Sequence, residues 1–271
     1  MDGLPTSPEA APPRQPIGIV WAGHATVRIE MDGVALLTDP LLRGRLGHLR
    51  RIAPGPGRVA DDLSAVLISH LHRDHLDIPS LRRIDPRVPV LAPRGARGLL
   101  DAARRRDVTE MLPGDVATIG PLRVRATVAA HDGGGQRARG PRGLRGPHAT
   151  ALGFVVEGTA TVYFAGDTDL FDGMADVAPE IDAALLPVGG WGPRLGPGHL
   201  DADRAARALR LLRPRVAIPI HWGTFAPWPV TARAAYLRRP GRAFVDAVAA
   251  LAPAVDVRLL PPGGATVVEP G

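Results

Sequence analysis

The chain has no cysteine, no lysine and no asparagine among its 271 residues, and aromatic residues make up only 4% of it. The missing cysteines exclude disulfides, thiol nucleophiles and thiolate metal ligands, so any metal site must be built from histidine and carboxylates. The missing lysines mean that all 33 basic residues are arginine. A net charge of +6 and a pI of about 11.0 therefore follow from arginine, which stays charged whatever the protein binds. The arginines are scattered rather than gathered in one basic arm, so there is no strong nucleic-acid signal. Arg104-Arg105-Arg106 reads as the solvated end of a helix. No apolar run approaches the length of a membrane span. Residues 1–16, rich in Pro, Ala and small polar residues, lack the basic start and apolar middle of a secretory signal and read as a disordered tail. A cytoplasmic enzyme is the expectation. The 45% apolar content is enough for residues 17–271 to form a single domain with a sizeable core.

What is present has the rhythm of short strands and intervening helices. β-rich segments fall at 17–21, 26–30, 34–38 and 65–69, the second and third joined as a hairpin across Met31-Asp32-Gly33. Helical patterns follow at 78–84 and 94–106, then strands at 122–129, 153–157, 161–164 and 182–187. Helices at 202–212 and 242–251 flank a strand at 216–220, and a final strand pair at 255–260 and 265–268 closes the pattern. Hairpins and β/α units in both halves predict an α/β protein of two mixed sheets packed face to face, with helices outside.

The chemistry concentrates where the strand Ala65-Val66-Leu67-Ile68-Ser69 ends. His70, His72, Asp74 and His75 place four candidate ligands within six residues. A His-x-His-x-Asp-His pattern arises by chance in a chain of this length with odds on the order of one in a thousand. In extended backbone, residues two apart point the same way, so His70 and His72 suit one ion. A turn then swings Asp74 and His75 toward a second. Imidazole with carboxylate favours Zn²⁺, with Mn and Fe also compatible.

This motif and its surroundings resemble the metallo-β-lactamase superfamily, and within it the branch of ascorbate-phosphate lactonases and N-acyl-phosphatidylethanolamine phospholipase D-like proteins. Gly23-His24-Ala25-Thr26 with Leu37-Thr38-Asp39-Pro40, Phe164-Ala165-Gly166-Asp167-Thr168 and Ile220-His221-Trp222-Gly223-Thr224-Phe225 are similar to that branch's other signatures, in the same order. The resemblance covers roughly residues 17 to 260 and implies the αββα sandwich of two mixed sheets with outer helices. It implies that His70, His72 and His131 hold a first metal, that Asp74, His75 and His221 hold a second, and that Asp167 bridges them. The neighbours of His131, Asp132-Gly133-Gly134-Gly135, depart from the family pattern. By the same resemblance Asp39 supports the metal loop, His24 supports the site or touches substrate, and His199 contacts substrate or donates a proton. His48 and His148 match nothing in the pattern and read as surface residues.

Two such ions lower the pKa of a bridging water, hold it as hydroxide at neutral pH and polarise the bond to be broken. Phosphodiesters, lactones, thioesters and amides all suit that chemistry. The resemblance favours a phosphodiester or phosphorylated lactone, carried on a small-molecule or lipid-like anion. Within the Gly/Arg-rich stretch 133–147, Arg137, Arg139, Arg142 and Arg145 are candidates to bind its anionic group. Two other classes compete: a superfamily nuclease acting on RNA or DNA, suggested by the pI alone, and a non-catalytic metal-binding or ligand-sensing protein, against which the full ligand set argues.

Overall fold

Asp32 and Gly33 both take positive φ, 52° and 75°, the geometry a two-residue hairpin turn demands. They set Met31 opposite Val34 and join β2 (Thr26–Met31) to β3 (Val34–Thr38), with β1 (Ile17–Gly23) on the other side of β2. The computed structural model describes residues 14–131, 149–192, 194–230 and 235–271. After the hairpin come β4 (Arg45–Leu46), β5 (Leu49–Arg51), β6 (Ala65–Leu67), α1 (Ile78–Leu81), β7 (Val90–Pro93), α2 (Arg97–Ala102) and β8 (Val108–Met111). The later part of the chain forms β9 (Val116–Ile119), β10 (Leu122–Val128), β11 (Leu152–Glu157), β12 (Thr161–Phe164), β13 (Ala183–Pro187) and α3 (Ala202–Leu212). It ends with β14 (Val216–Ile220), β15 (Phe225–Pro227), α4 (Ala235–Leu251), β16 (Asp256–Val257) and β17 (Ala265–Val268).

Two seven-stranded mixed sheets result, ordered β17-β1-β2-β3-β6-β7-β8 and β16-β14-β13-β12-β11-β10-β9. A small third sheet, β15-β5-β4, lies apart from them. Strand alternation explains the layering. Ala65 and Leu67 enter the large core shared with β10 to β14, whereas Val66 and Ile68 enter a second core with Leu81 and Leu100 beside α1 and α2. The first sheet is thus covered on both faces, which accounts for the wholly apolar run of β6. On the second sheet, Ala205, Ala206 and Leu209 of α3 join the shared core together with Phe244 and Val248 of α4. The side chain of Asp201 accepts from the Arg204 amide at 2.8 Å and caps α3. The architecture is the expected α/β sandwich.

Several local expectations need correction. Segments 255–260 and 265–268 do not pair with each other: β16 extends the second sheet beside β14, and β17 extends the first beside β1. Pro261-Pro262 interrupts any ladder between them, and Gly263, at φ 91°, donates to the Trp21 carbonyl instead. Arg105 is not on a solvated face. It is 1% exposed, and its guanidinium donates to the carbonyls of Ile84 (3.1 Å) and Val88 (2.5 Å), tying off backbone that α1 and β7 leave unpaired. The helices expected at 78–84 and 94–106 shorten to α1 and α2, the second bounded by the positive φ of Gly95 (99°) and Arg104 (62°). β7 and β8, parallel strands that flank α2, are not among the expected elements. The helix expected at 242–251 reaches back to Ala235 through Pro240. Of the N-terminal tail, residues 14–16 are placed: Arg14 donates to the Thr159 carbonyl (2.8 Å) and pairs with Asp182 (2.7 Å). No helix among the described residues is long and apolar enough to cross a membrane.

Candidate metal centre

The site sits where strands of both sheets end. After β6 the chain leaves the first sheet through Ile68, Ser69 and His70, then turns, with the His75 and Leu76 amides both donating to the His72 carbonyl at 3.0 and 2.8 Å. That turn brings Asp74 and His75 back beside His70. From the second sheet, Asp167 follows β12, His131 follows β10 and His221 follows β14. Gly166 makes the approach possible. At φ 62° its missing Cβ leaves room for Ser69 and the Leu152 carbonyl, which a methyl would meet at 2.7 and 2.8 Å.

Four of the five expected histidine ligands are held from behind. The Nδ1 atoms of His70, His75, His131 and His221 face the Ser69 hydroxyl (3.0 Å), the Asp39 carboxylate (2.7 Å), the Gly198 carbonyl (2.8 Å) and the Gly189 carbonyl (2.7 Å). With an acceptor outside, Nδ1 carries the proton and Nε2 is left with its lone pair directed inward. His72 is the exception and turns Nδ1 inward, 3.0 Å from His70 Nε2 and 3.3 Å from His131 Nε2. His75 Nε2 and His221 Nε2 are likewise 3.3 Å apart. Imidazole nitrogens that face each other at such distances are natural partners for a shared cation.

Asp167 lies between the two groups. Its Oδ2 is 3.1 Å from His75 Nε2 and 4.0 Å from His70 Nε2, and its Oδ1 is 3.3 Å from His221 Nε2. Buried as it is, Oδ1 has no hydrogen-bond partner, an omission that folded proteins rarely tolerate without a reason. The donor set fits divalent metal: His70, His72 and His131 bring ligand atoms within 4.8 Å of one another, as do Asp74, His75, His221 and His24.

Asp39 supports rather than joins this cluster. Its two oxygens accept from the Ser69 amide (2.7 Å), the Ser69 hydroxyl (2.5 Å) and His75 Nδ1, so one buried carboxylate sets both the strand exit and the ring of a ligand. His24 Nε2 contacts Asp74 Oδ2 at 2.9 Å, and the His24 carbonyl accepts from the His221 amide (2.9 Å) and from Trp21 Nε1 (2.8 Å). His24, Asp39 and His221 all have positive φ, at 53°, 34° and 66°. Such conformations cost about 1–3 kcal/mol each and persist where the surroundings over-determine them. His199 Nε2 lies 3.5 Å from Asp167 Oδ2 and its ring is 4.6 Å from that of His131. Arg137, Arg139, Arg142 and Arg145, with His148, lie outside the described residues; His48 is exposed.

The electrostatics agree with the ligand reading. Burial holds His70, His72, His131 and His221 below the ordinary imidazole range, His221 at about 3, so all four keep a free lone pair at neutral pH. Burial opposes charge on His75 too, but Asp167, Asp74 and Asp39 around it overcome that and raise it, so a cation at its Nε2 would take the place of a proton there. Burial also opposes ionisation of Asp74 and Asp167, yet the neighbouring imidazoles keep both well below the usual carboxylate range. Three buried carboxylates around one ring form a place that demands positive charge.

Comparison with known proteins places the chain in a family. Residues 35–222 match the beta-lactamase superfamily domain. The chain belongs to the metallo-β-lactamase superfamily. It is 33% identical over 227 residues to a protein of Methanopyrus kandleri named as a metal-dependent hydrolase, covering 77% of this chain and 85% of that one. It is 30% identical over 232 residues to N-acyl-phosphatidylethanolamine-hydrolyzing phospholipase D 1 of Caenorhabditis elegans, covering 76% of this chain but only 63% of the worm protein. Among solved structures, Igni18, a metallo hydrolase of Ignicoccus hospitalis, superposes with a TM-score of 0.68 at 21% identity, covering 94% of this chain and 99% of that one. CmlA, a diiron β-hydroxylase of Streptomyces venezuelae, gives 0.66 at 19% identity over 96% of this chain and 55% of its own. At such identities the structures speak for the fold alone. Fold, family and the His/Asp cluster agree on a metal-dependent hydrolase.

The sequence reading did not include Trp191, the small third sheet, or the carbonyls of Gly189 and Gly198. A tryptophan inside Gly189-Gly190-Trp191-Gly192, between an expected strand and His199, was the available signal for the first of these.

Proposed function

We propose that this protein hydrolyses a phosphodiester or phosphorylated lactone, on a small-molecule or lipid-like anion, with two divalent metal ions. In this reading His70, His72 and His131 hold one ion, Asp74, His75 and His221 hold the other, and Asp167 bridges them. The observation that carries it is the set of four imidazoles tied outward through Nδ1, whose Nε2 atoms gather beside the buried Asp167 carboxylate, one oxygen of which has no hydrogen-bond partner. When bound, the ions supply acidification of a water and polarisation of the substrate's oxygens.

The chain's own residues do the rest. Asp74, oriented by His24 at 2.9 Å, is placed to accept a proton from that water. His199 is partly exposed beside Asp167, and the hydrogen bond to Asp167 raises its pKa against the pull of burial. It is therefore placed to donate a proton to the leaving oxygen. Arg137, Arg139, Arg142 and Arg145 are proposed to select the anionic group. The name of the worm relative supports a lipid-like phosphodiester; the imidazole-rich ligand set supports Zn²⁺.

Elemental analysis of purified protein, with hydrolysis of bis(p-nitrophenyl) phosphate, p-nitrophenyl acetate and a phosphorylated lactone, tests this reading. The expected result is close to two zinc ions per chain and phosphodiester or lactone turnover that a chelator removes and zinc restores. Saturation at one ion, or turnover of the acetate alone, would overturn it. Changing the four arginines together to Gln is expected to raise KM for the anionic substrate and leave that for the acetate unchanged.

A further inference from the structure

The segment after β13 crosses the centre from one group of ligands to the other. At one end the Gly189 carbonyl holds His221, and at the other the Gly198 carbonyl holds His131. Between these anchors the chain carries one aromatic residue, Trp191. Its ring centroid lies 5.7 Å from that of His24 and 6.4 Å from that of His221. It also packs against an apolar cluster separate from both main cores, made of Leu41, Leu46, Leu49 and Phe225. Leu46, Leu49 and Phe225 come from the small third sheet. Trp191 is only partly buried, although His24 and His221 beside it are 3% and 2% exposed. Part of the Trp191 indole thus stays accessible next to the buried histidines, backed by apolar side chains, and an indole offers wide contact area with little conformational freedom to lose.

We infer that Trp191, backed by the third sheet, determines specificity by taking an alkyl or acyl chain of the substrate while the reacting group sits beside Asp74, His75 and His221. The inference rests on the hydrolase reading above and deepens it: the substrate carries its anionic centre and an apolar chain close together. A methylene fully buried on such a wall strengthens binding by roughly fourfold, so even partial cover of a short chain gives a measurable preference.

Calorimetric titration of the metal-loaded protein with methylphosphonate and hexylphosphonate tests this without any turnover. Hexylphosphonate is expected to bind about tenfold tighter than methylphosphonate to the wild type. That preference should fall to about twofold in Trp191→Ala and survive largely in Trp191→Phe, with metal content unchanged in both. Equal binding of the two phosphonates by the wild type, binding of neither, or an undiminished preference in Trp191→Ala overturns the inference. So does loss of metal from Trp191→Ala, which would make the residue a prop for the ligands. A protein that prefers hexylphosphonate yet cleaves none of the test esters keeps the Trp191 role and discards the hydrolase reading.

Discussion

Two segments cross the centre, and they contribute to it in opposite currencies. The turn after β6, from His70 to Leu76, offers side chains: four candidate ligands presented by a strand end and one tight reversal. The segment after β13 offers backbone: the Gly189 and Gly198 carbonyls, which orient His221 and His131 from behind. One segment supplies candidate ligands, and the other decides which nitrogen of His221 and of His131 faces inward. A ring tied at Nδ1 has one lone pair left and one direction to point it, so the carbonyl segment sets geometry without touching a metal itself.

Disrupting each segment should therefore fail differently. The largest effect is expected from the side-chain segment: Asp74→Ala should lower kcat by roughly a thousandfold or more at full metal loading, with the fold retained by circular dichroism, because the Asp74 carboxylate faces His24 and His75 at the centre. Near-normal turnover in the metal-loaded variant would refute the proposed two-metal arrangement. The backbone segment should give a milder loss. Gly189→Ala keeps every ligand, but its Cβ would meet Pro240 at 3.0 Å and Trp222 at 3.2 Å, moving the carbonyl that holds His221. Metal affinity, measured by chelator competition, should fall about tenfold while kcat at saturating metal changes little. If affinity is unmoved, the carbonyl is not positioning the ring.

The smallest effect is in pH. His70, His72, His131 and His221 have folded pKa values depressed by burial, so the unfolded chain binds more protons as pH drops below the ordinary histidine value of about 6.5. His75 and His199, raised by carboxylates, act in the opposite sense and offset part of this. Metal-free protein should lose stability as pH falls from about 6.5 toward 4, by thermal unfolding at intervals of pH. Removing one depressed group, as in His221→Gln, should flatten that slope, and an unchanged slope would remove His221 from the account.

What could be read from the sequence is what side-chain identity and periodicity encode. The His70 to His75 motif, Asp167 and His221 were visible as candidate ligands because few side chains can bind metal, and the Asp32-Gly33 hairpin because few dipeptides accept two positive φ values. The exact ranges of α3, β14 and β17 were legible because α3 is amphipathic, β14 is a short unbroken apolar run and β17 is rich in β-branched residues. Other features depend on where distant backbone ends up. Whether 255–260 pairs with 265–268 or with another sheet depends on partners far away in the chain. Arg105 is buried because the carbonyls of Ile84 and Val88 happen to lack other donors. The outward anchors of four imidazoles include two glycine carbonyls, and every residue has a carbonyl, so nothing in the sequence marks these two. Trp191 stands beside His24 because the segment after β13 folds back over a histidine that follows β1, 167 positions earlier in the sequence. Local chemistry sets which groups exist; only the packing of two sheets decides which of them meet.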